Sequence, residues 1–230
     1  GSTLIEQILS SHSMVEGTME LPDIPKLYAK ARGMGGIAKL SAADARELGE
    51  QYLHDTLVQR KSDKPVYIDK LPNNWLHTGF IRLILPHAKI IDARRHPMDC
   101  CFSNYKQHFA RGQAFSYDLA DMGRYYADYV ELMYHFDRAM PGRIHRVFHE
   151  RLIDDLEGEV RALLDYLGVP FEPACLDFHT NERAVRTASS EQVRRPINRD
   201  GVGQWRAMEE WLEPLVEALG PALTQYPATA

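Results

Sequence analysis

The stretch AKIIDARRHPMDCCFS, residues 88–103, predicts a strand that runs directly into a helix. The segment AKIIDARR is apolar enough for a strand that is buried on both faces, and Pro97 suits the first turn of the helix. KPVYIDK (64–70) and RIHRVFH (143–149) predict two more strands. Helical patterns separate these strands, and this alternation is typical of an α/β domain with a parallel sheet and right-handed crossovers.

Helices are predicted wherever apolar residues recur at helical spacing. They cover residues 3–11, 41–61, 75–85, 116–136, 156–168 and 211–219, and another opens at His96. Ser41 and Ser116 are the expected N-caps of two helices, and Gly168 is the expected stop of a third. Residues 14–17 are predicted as a short extended stretch, and residues 21–40 and 105–118 are predicted as loops.

The composition sets limits on the class of protein. The chain has 230 residues, of which 44 % are hydrophobic and 26 % charged, and its formal net charge is −5. We therefore expect residues 1–230 to form one globular domain, with neither nucleic acid nor an anionic membrane as a partner. No run of 18 apolar residues occurs, so we expect no membrane insertion. Three cysteines cannot supply a disulfide framework, which favours the cytoplasm.

Polar side chains follow each of the three main strands. Lys70 follows VYID, Arg94 and Arg95 follow IIDA, and His149 opens a His-Glu-Arg triplet after HRVF. In open parallel sheets, ligands bind at the carboxyl ends of the strands. The sequence therefore predicts the functional site at this edge.

The first four residues, from Gly1 to Leu4, predict an anion site at the start of a helix. Backbone N–H groups at a helix N-terminus bind phosphate or sulfate, while Gly, Ser and Thr permit close approach and add hydroxyl donors. A nucleoside triphosphatase would have Gly-Lys-Ser/Thr, and here no Lys precedes the hydroxyls. The alternative is a Gly-Ser vector remnant followed by an ordinary helix cap.

Two more features suit a phosphorylated ligand. Ser103 lies eight residues after Arg95, so a helix that returns along the sheet would let both side chains meet one anion. Residues 185–207 are polar and rich in arginine, and we expect them to form a loop that covers the cofactor. If each feature is considered alone, the alternative for the first is a surface Arg and a helical Ser. The alternative for residues 185–207 is a solvated linker.

Glu20 and Lys70 are the candidates for acid–base chemistry. A carboxylate near a phosphate turn can take a proton from an attacking hydroxyl, and a Lys beside it can stabilise charge on a departing oxygen. The alternative for each is a solvated surface charge. We expect no metal, because HERLI lacks the second His of His-Glu-x-x-His and Cys100-Cys101 has no partner pair at zinc spacing.

Together these features resemble the sulfotransferases that use 3′-phosphoadenosine 5′-phosphosulfate (PAPS). The likeness is closer to the branch that contains protein-tyrosine sulfotransferases and bacterial sulfotransferases that follow tetratricopeptide repeats. It rests on four ordered segments: GSTLIEQILSSHSMVEGTMELP (1–22), DKLPNN (69–74), DARRHPMDCCFS (92–103) and SSEQVRRPINRDGVGQW (189–205).

The resemblance implies a P-loop-type parallel sheet flanked by helices, with the strand that precedes the phosphosulfate loop missing before Gly1. It implies that Glu20 is the general base, that Lys70 is catalytic, and that PAPS is converted to 3′-phosphoadenosine 5′-phosphate (PAP) without a metal. The implied nucleotide-binding residues are Gly1, Ser2, Thr3, Leu4, Arg95, Ser103, His149, Ser189, Arg199 and Arg206. The chain would then be the C-terminal part of a longer protein, with tetratricopeptide repeats upstream.

The sequence departs from this branch at three places. A Pro and a basic residue are expected before Gly1, His149 stands where a Tyr is usual, and Gln204 stands where a Lys precedes the Trp. Two other hypotheses stay open: a P-loop kinase of a hydroxyl substrate that uses ATP and magnesium, and a nucleotide-binding domain without turnover. The acceptor would be a hydroxyl of protein tyrosine, of a carbohydrate or of a small alcohol.

Overall fold

The computed structural model describes residues 1–109, 112–185 and 190–227. Its strands are β1 (Val15–Met19), β2 (Val66–Asp69), β3 (Ile90–Arg94) and β4 (Ile144–Phe148). Its α-helices are α1 (Ser2–Ser10), α2 (Asp23–Gly33), α3 (Ala42–Asp55), α4 (Thr78–Ile84), α5 (Pro97–Tyr105), α6 (Leu119–Ala139), α7 (His149–Asp154), α8 (Leu156–Leu167), α9 (Glu213–Leu219) and α10 (Pro221–Thr224). Short 3-10 turns join several of these elements, including Pro72–His77 before α4 and Gln204–Trp211 before α9.

The strands form two parallel pairs, β1 with β2 and β3 with β4. The predicted α/β class with parallel strands flanked by helices is thereby confirmed. Among the described residues no ladder joins β2 to β3; residues of both strands line one cavity of about 1790 Å³.

Helix α1 connects the two pairs through a shared apolar core. Ile5, Ile8 and Leu9 lie on one face of the helix and are buried against residues of β1, β4 and α8, among them Val15 and Val147. Burying an aliphatic side chain of this size contributes about 1.5–3 kcal/mol. The N-terminus of α1 is therefore fixed at the carboxyl ends of the strands.

A second core lies over β2, and it corrects one prediction. Residues 21–40 are largely helical rather than a loop, because Ile24, Leu27 and Ala31 are spaced along one face of α2 and pack against α3 and α4. The N-cap predicted at Ser41 is confirmed as a capping box with Asp44.

Two other local predictions were wrong. Asp118, not Ser116, caps α6, since its carboxylate accepts the backbone N–H of Asp121 at 2.9 Å. The buried Ser116 instead bonds to the carbonyl of Gln113 within a 3-10 turn. His149 is the first residue of α7 rather than the end of a strand. Across the described ranges, no helix has the length and apolarity needed to span a membrane.

Candidate functional site

Glu20 and Lys70 meet at the carboxyl ends of β1 and β2. The Nζ of Lys70 donates to Oε1 of Glu20 at 2.5 Å. The Lys70 side chain is 7 % exposed and that of Glu20 is 43 % exposed, so a buried ammonium is matched by a carboxylate that faces the open cavity. A buried cation requires such a partner. The pair places a proton acceptor and a cation side by side.

The N-terminus of α1 borders the same cavity. Gly1 is the N-cap of the helix and has no side chain that could cap the amides of the first turn. Arg95 and Lys70 line the same cavity. Gly1, Ser2, Thr3 and Leu4 all line the cavity. Helix amides and cations therefore converge there, which favours an anion.

Arg95 reaches this cavity from the end of β3. Its backbone carbonyl accepts the hydroxyl of Tyr126 at 2.7 Å, and its guanidinium donates to the carbonyl of Gly201. Its Nε is buried and makes no hydrogen bond within the described ranges. Ser103 is exposed on α5 and lines the same cavity. Arg95 and Ser103, which were predicted to meet one anion, therefore line the same cavity.

The described part of the covering loop is attached to α5. Asp99, in the first turn of α5, accepts the backbone N–H of Gly203 with both carboxylate oxygens, at 2.8 and 3.0 Å. A Cβ atom at Gly201 would lie 3.1 Å from Nη2 of Arg95, so a side chain at this position would displace the guanidinium by a few tenths of an ångström. The ring of Trp205 stacks on that of His96, with centroids 6.1 Å apart. The loop is therefore held beside Arg95.

Two predicted nucleotide contacts, Arg199 and Arg206, are not brought into the cavity. Arg199 is exposed and pairs with Asp154, and Arg206 is exposed with its guanidinium over the ring of Trp205. Neither lines the cavity. Ser189 falls outside the described residues. All three contacts stay predictions.

The sequence argument missed several residues of the site. The sequence does contain a signal for Asp99, since acidic residues are common in the first turn of a helix, where they interact favourably with the helix dipole. No sequence feature indicated Lys106. Its Nζ donates to Oε1 of Gln204 at 2.7 Å, so a cation lies beside position 204, where the family resemblance predicts a Lys. In the part of the chain that the structure describes, no three His, Cys, Asp or Glu side chains form a group that could hold a metal.

His149 begins α7 next to Gly1. A Cβ atom at Gly1 would lie 3.8 Å from Nδ1 of His149, and this nitrogen is buried without a hydrogen bond from any described residue. Burial lowers the pKa of His149 to about 3, and the charge of Arg95 adds to this effect. The imidazole is therefore neutral at pH 7, with one nitrogen left for a ligand.

Acidification is expected to destabilise the fold through His149. Because its folded pKa lies below the unfolded value of about 6.5, the unfolded chain takes up the proton first, and stability falls as the pH drops from 6.5 towards 3. At pH 5 this group should cost about 2 kcal/mol relative to pH 7. Urea unfolding at both pH values measures the loss. His149→Gln should show a correspondingly smaller loss, whereas His108→Gln, at an exposed histidine, should behave like the parent; equal losses in all three proteins would contradict the assignment.

A family model for the sulfotransferase family matches residues 1–173. The chain belongs to the sulfotransferase family. The match includes the start of α1, the Glu20–Lys70 pair, Arg95 and Ser103.

One relative of this sulfotransferase-family chain is an uncharacterized protein of Aquifex aeolicus. The two are 36 % identical over 233 residues, which cover 95 % of this chain and 31 % of the relative. The chain therefore spans about a third of the length of that curated relative.

Two solved structures are similar in fold. The sulfotransferase domain from the Synechococcus PCC 7002 olefin synthase superposes with a TM-score of 0.70 at 19 % identity, over 99 % of this chain and 92 % of that domain. The sulfotransferase domain from the curacin biosynthetic pathway gives 0.62 at 18 % identity, over 90 % and 86 %. At such identities the likeness shows the fold, which is that of a sulfotransferase domain.

Proposed function

We propose that this chain transfers a sulfuryl group from PAPS to an acceptor hydroxyl. The observation that carries the proposal is the Glu20–Lys70 pair, which lies in one cavity with the N-terminus of α1 and Arg95. The acceptor hydroxyl would belong to a protein tyrosine, a carbohydrate or a small alcohol.

The pair suits both ends of an in-line transfer. The donor supplies the activated sulfuryl group. As the acceptor oxygen bonds to sulfur and the bond from sulfur to the bridging phosphate oxygen breaks, the carboxylate of Glu20 takes the hydroxyl proton. Lys70 and the amides of α1, with the hydroxyls of Ser2 and Thr3, neutralise the charge left on the bridging oxygen.

The residues around the cavity fit a nucleotide with phosphates at both ends. The first turn of α1 offers amides to the 5′-phosphosulfate. The Nε of Arg95, which has no hydrogen-bond partner among the described residues, offers a donor to the 3′-phosphate beside Ser103. His149 can donate from Nδ1 in the tautomer that carries its proton there. These groups are placed to hold the donor while Glu20 acts on the acceptor.

One calorimetric titration tests the class of ligand. The chain is expected to bind PAP without magnesium and to bind ATP with magnesium much more weakly. Binding of ATP and magnesium without binding of PAP would overturn the proposal in favour of a kinase. A turnover assay with PAPS then separates an enzyme from a domain that binds PAP and transfers nothing.

Replacing Arg95 with Ala is expected to weaken PAP binding by about 2–3 kcal/mol, or roughly 30- to 150-fold, because a charge-assisted contact is lost. The same calorimetric titration measures this change. Arg124→Ala is the matched control, since Arg124 is exposed and pairs with Asp121 on α6. If both variants bind PAP like the parent, the 3′-phosphate lies elsewhere.

A further inference from the structure

We infer that Thr18 is a positioning residue for the reaction, because it forms a one-residue bulge that places Glu20 opposite Lys70. The inference rests on the proposed function. It begins from the pairing of β1 with β2, in which Gly17 stands opposite Ile68 but Met19 stands opposite Asp69. Two residues of β1, Thr18 and Met19, therefore oppose one residue of β2, which defines a bulge.

The bulge decides which residue of β1 faces Lys70. Counting on from Met19 opposite Asp69 would place Glu20 opposite Lys70, and the contact between their side chains agrees with this count. Without the extra residue, Met19 would stand opposite Lys70, and Glu20 would stand opposite Leu71. Side chains alternate between the two faces of a strand, so a slip of one residue would also turn Glu20 to the other face.

Hydrogen bonds fix the bulge on both strands. The hydroxyl of Thr18 donates to the carbonyl of Ile68 at 2.5 Å, and the backbone N–H of Lys70 donates to the carbonyl of Met19 at 3.3 Å. Thr18 is buried, at 8 % exposure. The hydroxyl thus satisfies a carbonyl at the position where the ladder is interrupted, and a methyl group in its place would leave that carbonyl without this donor.

The end of β2 is held from its other side. The hydroxyl of Tyr52, a buried residue of α3, donates to Oδ2 of Asp69 at 2.8 Å. The backbone N–H of Leu21 lies near the same carboxyl group and lowers its pKa, although burial raises it overall to about 6. Because α3 anchors Asp69, the residue before Lys70, the position of Lys70 is fixed. The bulge therefore shifts the residues of β1 relative to Lys70.

The test uses two substitutions at Thr18 and one matched control. Thr18→Val keeps the branched shape and removes the hydroxyl, whereas Thr18→Ser keeps the hydroxyl. Thr56→Val is the control, since the hydroxyl of the fully buried Thr56 also donates to a backbone carbonyl, that of Tyr52, at 2.8 Å.

We expect Thr18→Val to lower kcat at least tenfold while the Kd for PAP changes less than twofold. Misplacement of a reacting group by 1 Å can cost about 100-fold in rate. Thr18→Ser should restore at least half of the parent kcat, and Thr56→Val should keep the parent kcat even if its Tm falls. Parent-like kcat in Thr18→Val, or equal losses of kcat and PAP affinity, would overturn the inference.

A second measurement does not depend on turnover. Hydrogen exchange of the Lys70 amide reports its bond to Met19, and it should become at least tenfold faster in Thr18→Val and stay unchanged in Thr56→Val. If the exchange rate of the Lys70 amide is unchanged in both variants, the inference that the bulge sets this register is overturned. If the parent binds PAP but transfers nothing, the proposed function fails, and the exchange result alone then decides the geometric inference.

Discussion

Glu20→Ala is expected to reduce sulfuryl transfer by about 10²- to 10⁴-fold, the range typical for loss of a general base. The affinity for PAP should change less than about twofold, because Glu20 is exposed to the cavity and is not among the groups assigned to the phosphates. Steady-state rates and PAP titrations on the same preparation measure the two effects.

Glu47→Ala serves as the control for charge. Glu47 is exposed on α3, so its removal changes the net charge equally without touching the pair. An equal loss of rate and PAP affinity in Glu20→Ala would contradict the assignment of a base. A rate like that of the parent would show that another group takes the proton.

Asp92→Ala is expected to cost about 3–5 kcal/mol of unfolding free energy, since it leaves the buried Arg94 without its counter-charge and removes one of the two carboxylates paired with Arg146. The carboxylate of Asp92 is 2 % exposed and accepts from Arg94 at 2.9 Å and from Arg146 at 2.8 Å. The hydroxyl of Tyr129 donates to its other oxygen. Urea unfolding should show a lower midpoint with an unchanged m-value.

A double variant and a surface control make this stability test specific. Asp92→Leu combined with Arg94→Met should regain most of the loss, because a buried ion pair can be replaced by apolar residues at little cost. Asp121→Ala removes the exposed partner of Arg124 and should cost less than about 1 kcal/mol. A loss of that small size in Asp92→Ala would show that this buried network is not needed for the fold.

Local patterns predicted most elements because their cause is local. The apolar spacing in α8 and the Gly168 that ends it, in the left-handed conformation at φ 77°, are readable without any tertiary contact. Helix α2 was not predicted, although the regular spacing of Ile24, Leu27 and Ala31 was present in the sequence.

Buried charge was harder to predict than buried apolar surface. The strand β3 was expected to be apolar, yet Asp92 and Arg94 are both buried in it. They are tolerated there because Arg146 from the neighbouring strand and Tyr129 from α6 satisfy them. Partners this distant in sequence give no local signal, so a pattern of polarity along one strand could not indicate them.

The sequence by itself determined the alternation of strands and helices, the family, and the residue types that the proposed sulfuryl transfer needs. Tertiary structure decided that Glu20 and Lys70, fifty residues apart, stand opposite each other, and that Arg95 and His149 face the start of α1. The physical reason is that periodicity fixes which face of an element is buried, whereas register between elements depends on long-range contacts. At the site, the register between β1 and β2 depends on one extra residue in β1, the bulge at Thr18.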